Sequence, residues 1–94
     1  MWEILEHKRV DKALESAPLE VLQKYEKWKD IVYLSGPDGL KLIKGFKDEG
    51  LKGNWKGYRS SRLNLQYRVL YQVIYDKVLV QVEDITPHDY RRKR

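Results

Sequence analysis

The sequence predicts an α+β domain in which an N-terminal strand and a helical hairpin pack on one face of a small, twisted antiparallel β-sheet. Apolar residues recur at helical spacing between residues 10 and 32, whereas residues 65–82 first alternate in polarity and then become β-branched. Helices grouped ahead of a run of strands are typical of α+β proteins. With 94 residues and no visible repeat or linker, the chain is expected to form one domain, residues 1–94.

The first third of the chain predicts one strand and two helices. Residues 2–6 are typical of a short strand that could join the later strands. A first helix is indicated by apolar residues at i, i+3, i+4 and i+7, namely Val10, Ala13, Leu14 and Ala17. Proline is favoured in the first turn of a helix, so a second helix is expected to begin near Pro18. Its apolar face comprises Leu22, Tyr25, Trp28 and Val32.

Glycine and proline then divide the chain. The segment Ser35-Gly36-Pro37 should end the second helix, and a short helical turn is expected from Asp38 onward. Four glycines follow within a polar segment, which predicts an irregular connection that ends in a strand near Tyr58: Gly45, Gly50, Gly53 and Gly57.

The strongest strand signal is an alternation in which every odd position from 65 to 75 is apolar or aromatic. Gln66, Arg68 and Gln72 lie between these positions. Asp76 and Lys77 interrupt the pattern before the run from Val78 to Val82, so an antiparallel hairpin should turn there. Aromatic residues at strand period usually face the interior, which predicts a core position for Tyr67, Tyr71 and Tyr75.

Arg68 is an ionised residue inside this apolar strand. Neighbouring strand residues point to opposite faces, so Arg68 should project on the same side as Gln66 and away from Tyr67 and Val69. Two alternatives follow, because ionised groups are rarely buried without a partner. Arg68 either lines an open polar groove or pairs with a carboxylate such as Asp84.

Composition excludes several functional classes. The chain has no cysteine, which rules out disulfides, a thiol nucleophile and thiolate metal sites. His7 and His88 are far apart, so a structural zinc site is not expected. No apolar run approaches a membrane span of about 20 residues, and the N-terminus lacks the apolar region of a signal peptide. We therefore expect a cytoplasmic protein.

The net charge of +5 is concentrated in the second half of the chain. Ten basic residues stand against four acidic ones from Lys52 onward, and the last four residues are all basic. A polyanion, either nucleic acid or an acidic protein segment, is the natural partner of such a surface. The alternative is a solvated basic surface that only aids solubility.

Cationic residues from several segments could meet an imidazole and a phenol on the uncovered face of the sheet. RNA carries its own nucleophile, the 2′-hydroxyl, so its cleavage requires a base, cations that stabilise the phosphorane, and an acid for the leaving oxygen. Lysine and arginine can stabilise the phosphorane, while His88 and Tyr90 can transfer protons. The candidate cations are Lys52, Arg59, Arg62 and Arg68.

Several segments together resemble the RelE/ParE superfamily of bacterial type II toxins, and most of all its RelE, HigB and YafQ-like mRNA interferases. They are Leu51-Lys52-Gly53-Asn54-Trp55-Lys56-Gly57-Tyr58-Arg59-Ser60, Tyr67-Arg68-Val69-Leu70-Tyr71-Gln72-Val73, the run from Val78 to Val82, and Pro87-His88-Asp89-Tyr90. The resemblance spans nearly the whole chain and implies a single RelE-like toxin domain.

The resemblance also implies roles for individual residues. Lys52 matches a phosphate-holding lysine, Arg68 matches the strand arginine that contacts the scissile phosphate, and His88 matches a C-terminal histidine. Tyr90 with Asp89 resembles the Asp-Tyr pair of HigB. Arg59 stands where RelE-type enzymes have a lysine. The predicted catalytic set is thus Lys52, Arg68, His88 and Tyr90, with substrate binding by Lys56, Arg59, Arg62, Asp89 and Arg91.

A toxin of this kind is expected to enter the ribosomal A site and cut mRNA by 2′-hydroxyl attack, without a metal or other cofactor. It is also expected to bind a cognate antitoxin protein. Two alternatives share the same fold. One is a ParE-like inhibitor that binds DNA gyrase without hydrolysis, and the other is a catalytically inactive regulatory module.

Overall fold

The computed structural model describes residues 1–87, which form five strands and three helices. The strands are β1 (Glu3–Glu6), β2 (Glu49–Gly50), β3 (Tyr58–Arg62), β4 (Arg68–Ile74) and β5 (Leu79–Thr86). The helices are α1 (Lys8–Ser16), α2 (Leu19–Ser35) and α3 (Asp38–Lys41). Short 3-10 turns occupy Lys44–Phe46, Gly53–Trp55 and Tyr75–Lys77. The predicted α+β class and the order of its elements are confirmed.

Helices α1 and α2 form the predicted hairpin. His7 caps α1, since its Nδ1 accepts a hydrogen bond from the Arg9 backbone N–H at 3.1 Å. Tyr25 and Trp28 of α2 are fully buried and stack with ring centroids 5.7 Å apart. None of the helices within residues 1–87 has the length and apolar character that a membrane span requires.

Gly36 ends α2 because only glycine fits there. Its φ of 76° lies in the left-handed region, and its N–H donates to the Val32 carbonyl oxygen at 2.8 Å. A Cβ at this position would lie 2.5 Å from Nε1 of Trp2. The stop predicted at Gly36 therefore also lets the indole of Trp2 pack against the end of α2.

The strands form a single sheet in the order β1-β5-β4-β3-β2. β1 runs parallel to β5, with Glu3 opposite Leu79, while all the other pairs are antiparallel. The predicted antiparallel sheet is confirmed for β2 to β5, and β1 adds a parallel strand at one edge. The helical hairpin fills the connection between β1 and the later strands, and a long connection of this kind permits parallel pairing.

The alternation that predicts a strand starts at Leu65, whereas β4 starts only at Arg68. Residues 63–67 form the turn between β3 and β4, and Leu65 is 86% exposed. Asn64 stabilises this turn, because its Oδ1 accepts hydrogen bonds from the backbone N–H groups of Gln66 and Tyr67. These hydrogen bonds from the nearby backbone to Asn64 favour a turn over the strand that the apolar pattern predicts.

The three tyrosines at strand period differ in burial. Tyr71 is fully buried and Tyr67 is partly buried against the core, as predicted, but Tyr75 is 63% exposed. Tyr75 falls outside the strand, since β4 ends at Ile74 and Tyr75 opens a 3-10 turn. Its ring instead meets the edge of Trp2, with centroids 6.2 Å apart.

The sheet has two unlike faces. The face toward the helices carries the main core, in which Trp28 packs edge-on against Tyr71 at 5.2 Å between centroids. The opposite face carries a smaller apolar cluster of Leu51, Leu70, Trp55 and Tyr58. The part of this second face beyond the cluster is polar, and it holds the candidate site.

We predict that Val78→Gly stabilises the fold. Val78 follows the Tyr75–Lys77 turn with φ of 51°, a conformation that disfavours a β-branched residue. Relief of such strain is worth about 1–3 kcal/mol, from which the entropy of glycine subtracts roughly 1 kcal/mol. Urea denaturation should therefore show a higher midpoint for the variant. A lower midpoint would contradict the argument.

Candidate functional site

Two arginines lie directly opposite each other on the sheet face away from the helices. Arg62 ends β3 and Arg68 begins β4, and the two are paired in the strand register. Opposed strand residues point to the same face, so both guanidinium groups occupy one side of the sheet. Like charges in this position destabilise a sheet. Such a pair therefore suggests a requirement other than stability.

A pocket of about 240 Å³ surrounds the two arginines. We call it the arginine pocket, and it is lined by Lys47, Glu49, Ser60, Arg62 and Arg68. Within residues 1–87 neither arginine forms an ion pair with a carboxylate. Nε of Arg62 is buried without a hydrogen-bond acceptor among the described residues. A buried donor without an acceptor is costly, so this arginine opposes stability in a second way.

The sequence left two alternatives for Arg68, a polar groove or an ion pair with a carboxylate. The structure shows the first, because Arg68 lines the arginine pocket. The proposed ion pair with Asp84 is not present in the described part of the chain. Oδ1 of Asp84 instead accepts a hydrogen bond from the Ile85 backbone N–H at 2.8 Å. Within residues 1–87 the guanidinium of Arg68 therefore has no carboxylate partner.

A buried carboxylate organises the edge of the site. The side chain of Asp48 is fully buried and accepts hydrogen bonds from three different residues. Arg59 donates from Nε at 3.1 Å and from Nη2 at 2.7 Å, and Ser61 Oγ donates at 2.7 Å. The hydroxyl of Tyr71 is the third donor. Ser61 in turn accepts from Trp28 Nε1 at 3.0 Å, so the network reaches into the core.

This network raises the pKa values of Tyr71 and Arg59. Burial raises the pKa of Tyr71, and the Asp48 carboxylate raises it further, so the phenol stays protonated. Burial alone would lower the pKa of Arg59, but its hydrogen bonds to Asp48 raise it. Arg59 therefore serves as the permanently charged partner of a buried carboxylate.

Arg59 faces away from the arginine pocket. It alternates along β3 with Ser60 and Arg62, and it points toward the helices together with Ser61. Its positive charge is neutralised by Asp48. These contacts give Arg59 a structural function, and its predicted substrate-binding function remains an untested prediction.

The predicted lysines do not join the arginine pocket. Lys52 and Lys56 lie in the exposed connection between β2 and β3, which enters β3 at Tyr58. Arg62 is at the other end of β3, four residues or about 13 Å from Tyr58. Neither lysine lines the arginine pocket. The part predicted for Lys52 in phosphate binding therefore remains a prediction.

Four predicted site residues lie outside the described part of the chain. They are His88, Asp89, Tyr90 and Arg91. β5 ends at Thr86, which pairs with Arg68 in the register. The last described strand thus ends beside the arginine pocket.

Ser60 lines the pocket but was not among the predicted site residues, and two further residues of the pocket, Lys47 and Glu49, were missed from the sequence. Both line the arginine pocket, while Asp48 between them points inward to its network. Lys47 adopts a left-handed conformation with φ of 44°. The run of three charged residues Lys47-Asp48-Glu49, which leads into β2, was the available signal. It was masked by the expectation that the glycine-rich segment is irregular.

The pocket combines cations with a carboxylate. Arg62, Arg68 and Lys47 can bind a phosphate and stabilise negative charge that develops on its oxygens. Glu49 can accept a proton from a hydroxyl group beside that phosphate. Ser60 adds a hydroxyl group to the pocket lining. This is a donor and acceptor set suited to phosphodiester chemistry.

Comparison with solved structures finds proteins of the same fold. YafQ from E. coli strain BL21(DE3) superposes with a TM-score of 0.73 at 20% identity, covering 92% of each chain. The archaeal RelE of a RelE–RelB complex from Pyrococcus horikoshii OT3 gives 0.72 at 24% identity, covering 94% of this chain and 96% of that one. A heterotetrameric YoeB–YefM toxin-antitoxin complex from Staphylococcus aureus gives 0.70 at 21% identity, with coverages of 94% and 98%.

No protein-family model matches the sequence. No curated protein matches it either. The likeness is therefore one of fold, and it confirms the RelE-like architecture that the sequence resemblance predicted.

We predict that Arg68→Gln stabilises the protein slightly. The change removes one of two opposed cations, and like-charge pairs across strands cost roughly 0.2–1 kcal/mol. The free energy of unfolding, measured in urea at low salt, should rise by about this amount, and the gain should shrink at high salt. Lys12→Gln, which removes the same charge from the exposed surface of α1, is the matched control. A loss of stability specific to Arg68→Gln would contradict the repulsion.

We predict that Asp48→Asn destabilises the protein by about 2–4 kcal/mol. The change removes the charge that compensates Arg59 and weakens the hydrogen bonds from Ser61 and Tyr71. Chemical denaturation measures the effect. Asp30→Asn on the exposed surface of α2 is the control and should change stability by less than about 0.5 kcal/mol. Equal effects of the two substitutions would show that the network contributes little.

Proposed function

We propose that this protein is the toxin of a type II toxin-antitoxin pair and that it cleaves mRNA in the ribosomal A site. The observation that carries the proposal is the opposed pair Arg62 and Arg68, beside Glu49, on the polar part of the sheet face away from the helices. The fold supports it, because YafQ, RelE and YoeB share this architecture. The net charge of +5 suits a nucleic-acid substrate.

The proposed reaction is an attack by the 2′-hydroxyl oxygen on the adjacent phosphorus. A bond forms between the 2′-oxygen and phosphorus while the bond to the 5′-oxygen breaks, which yields a 2′,3′-cyclic phosphate and a 5′-hydroxyl end. The 2′-hydroxyl proton passes to a base, for which Glu49 is placed in the arginine pocket. Arg62 and Arg68 stabilise the negative charge of the phosphorane.

The leaving 5′-oxygen requires a proton donor. In this proposal His88 supplies the proton, with Tyr90 as the neighbouring phenol. His88 is the second residue after Thr86, the strand end that pairs with Arg68. Lys52, Lys56 and Arg91 would contact the RNA strand or the ribosome beyond the arginine pocket. No step in the scheme calls for a metal or another cofactor.

The proposed partners are the ribosome with its mRNA and a cognate antitoxin in the cytoplasm. RelE in the archaeal structure is in complex with RelB, and YoeB is in complex with YefM. An antitoxin of this protein would neutralise it by covering the basic surface with an acidic or amphipathic segment.

Primer extension on mRNA from expressing cells tests the function. We expect codon-phased cuts for the wild-type protein. Arg68→Ala and His88→Ala should reduce cleavage by about 10²–10³-fold, because each removes a group that acts in the transition state. Both variants should still fold and bind the antitoxin. Lys12→Ala, on the exposed surface of α1, is the control and should cut like the wild type.

The same expressing cells test the gyrase-binding alternative when their DNA is also assayed for cleavage. Intact mRNA together with accumulated cleaved DNA would refute the nuclease and favour a ParE-like inhibitor. Intact mRNA without DNA cleavage would favour a regulatory module.

A further inference from the structure

A second, larger pocket adjoins the arginine pocket. It measures about 600 Å³ and lies between the start of α2, the Lys44–Phe46 turn and the turn between β3 and β4. We call it the side pocket. Lys47 and Arg62 line both pockets, so the two pockets are adjacent. A ligand with a phosphate between Arg62 and Arg68 could therefore reach the side pocket past these two side chains.

The side pocket combines apolar surface with positive charge. Leu63 and the exposed side chain of Leu65 supply apolar area. Lys24, Lys47 and Arg62 supply three cations, against the single carboxylate of Glu20. The amino group of Lys24 lies 4.9 Å from the ring centre of Phe46, which holds this cation at the pocket.

The wall formed by the turn between β3 and β4 is held in place. Nδ2 of Asn64 donates to Glu20 Oε2 at 2.8 Å and so ties the turn to α2. Oδ1 of Asn64 holds the backbone of Gln66 and Tyr67. Gln66 also lines the pocket, and within residues 1–87 its side-chain amide, unlike its backbone N–H, forms no hydrogen bond. A free amide beside an apolar surface suits the edge and the face of a nucleobase.

We propose that the side pocket binds the nucleotide next to the scissile phosphate, with its base against Leu65 and Gln66 and its own phosphate near Lys24 and Lys47. This inference rests on the proposed function and extends it, because it assigns a second RNA subsite. The charge balance favours a nucleotide over a neutral ligand. A volume of about 600 Å³ lies within the usual range of small-molecule sites.

Gly45 offers a way to block the side pocket alone. It lines that pocket and not the arginine pocket, and a Cβ added there meets no atom within 4 Å. Its backbone is outside the left-handed region, so a side chain is tolerated. Gly45→Tyr should therefore fill the side pocket, while Gly45→Ala serves as the matched control that leaves most of it open.

Backbone amide shifts in NMR titrations of the full chain provide the test. The ligands are inorganic phosphate, an RNA trinucleotide blocked by 2′-O-methylation, and a triglutamate peptide. Phosphate should shift the amides of Ser60, Arg62 and Arg68, and the trinucleotide should shift those of Gly45, Asn64 and Gln66 as well. Gly45→Tyr should weaken trinucleotide binding about fivefold or more and leave phosphate binding unchanged.

The outcomes separate this inference from the proposed function. Trinucleotide shifts confined to the arginine pocket, or equal affinities of Gly45→Tyr and Gly45→Ala, would overturn the second subsite and leave the nuclease proposal intact. Shifts at the side pocket caused by triglutamate but not by RNA would overturn it in favour of an acidic protein partner. Failure of phosphate to shift the amides around Arg68 would count against both.

Discussion

The buried carboxylate of Asp48 is the constraint on which the site depends. Arg59, Ser61 and Tyr71 all donate to it, and they come from two adjacent strands. Because Asp48 is drawn inward, its neighbours Lys47 and Glu49 face the opposite way and line the arginine pocket. The segment before β2 has little regular structure of its own, so these hydrogen bonds hold it against the sheet. A core interaction thereby positions groups on the surface.

One face of the sheet carries most of the core, and the other face carries the arginine pocket. The helix side buries Trp28, Tyr71 and their neighbours, and it supplies most of the apolar burial. The other face closes over a small cluster around Leu70 and then leaves Arg62 opposite Arg68. Local features that oppose stability while the rest of a fold agrees with its sequence are typical of functional sites. The opposed arginines are such a feature.

Much of this architecture could be predicted from the sequence because the periodic signals are strong and local. The helical hairpin, the stop at Gly36 and the position of Arg68 on the sheet face away from the helices all follow from spacing. The turn at Asn64 and the exposure of Tyr75 did not follow, since side-chain hydrogen bonds and strand ends override an apolar pattern. Lys47 and Glu49 were missed because their placement depends on Asp48, a contact distant in sequence from its partners.

The parallel pairing of β1 with β5 has a consequence for how the molecule folds. Glu3 and its partner Leu79 are separated in sequence by nearly every other element of the fold. A contact so distant along the chain forms late, since the loop that it closes includes nearly every other element. The strand β1 is therefore expected to join the sheet after the antiparallel strands β3, β4 and β5 have paired with one another. The edge of the sheet that β1 covers is then exposed during folding.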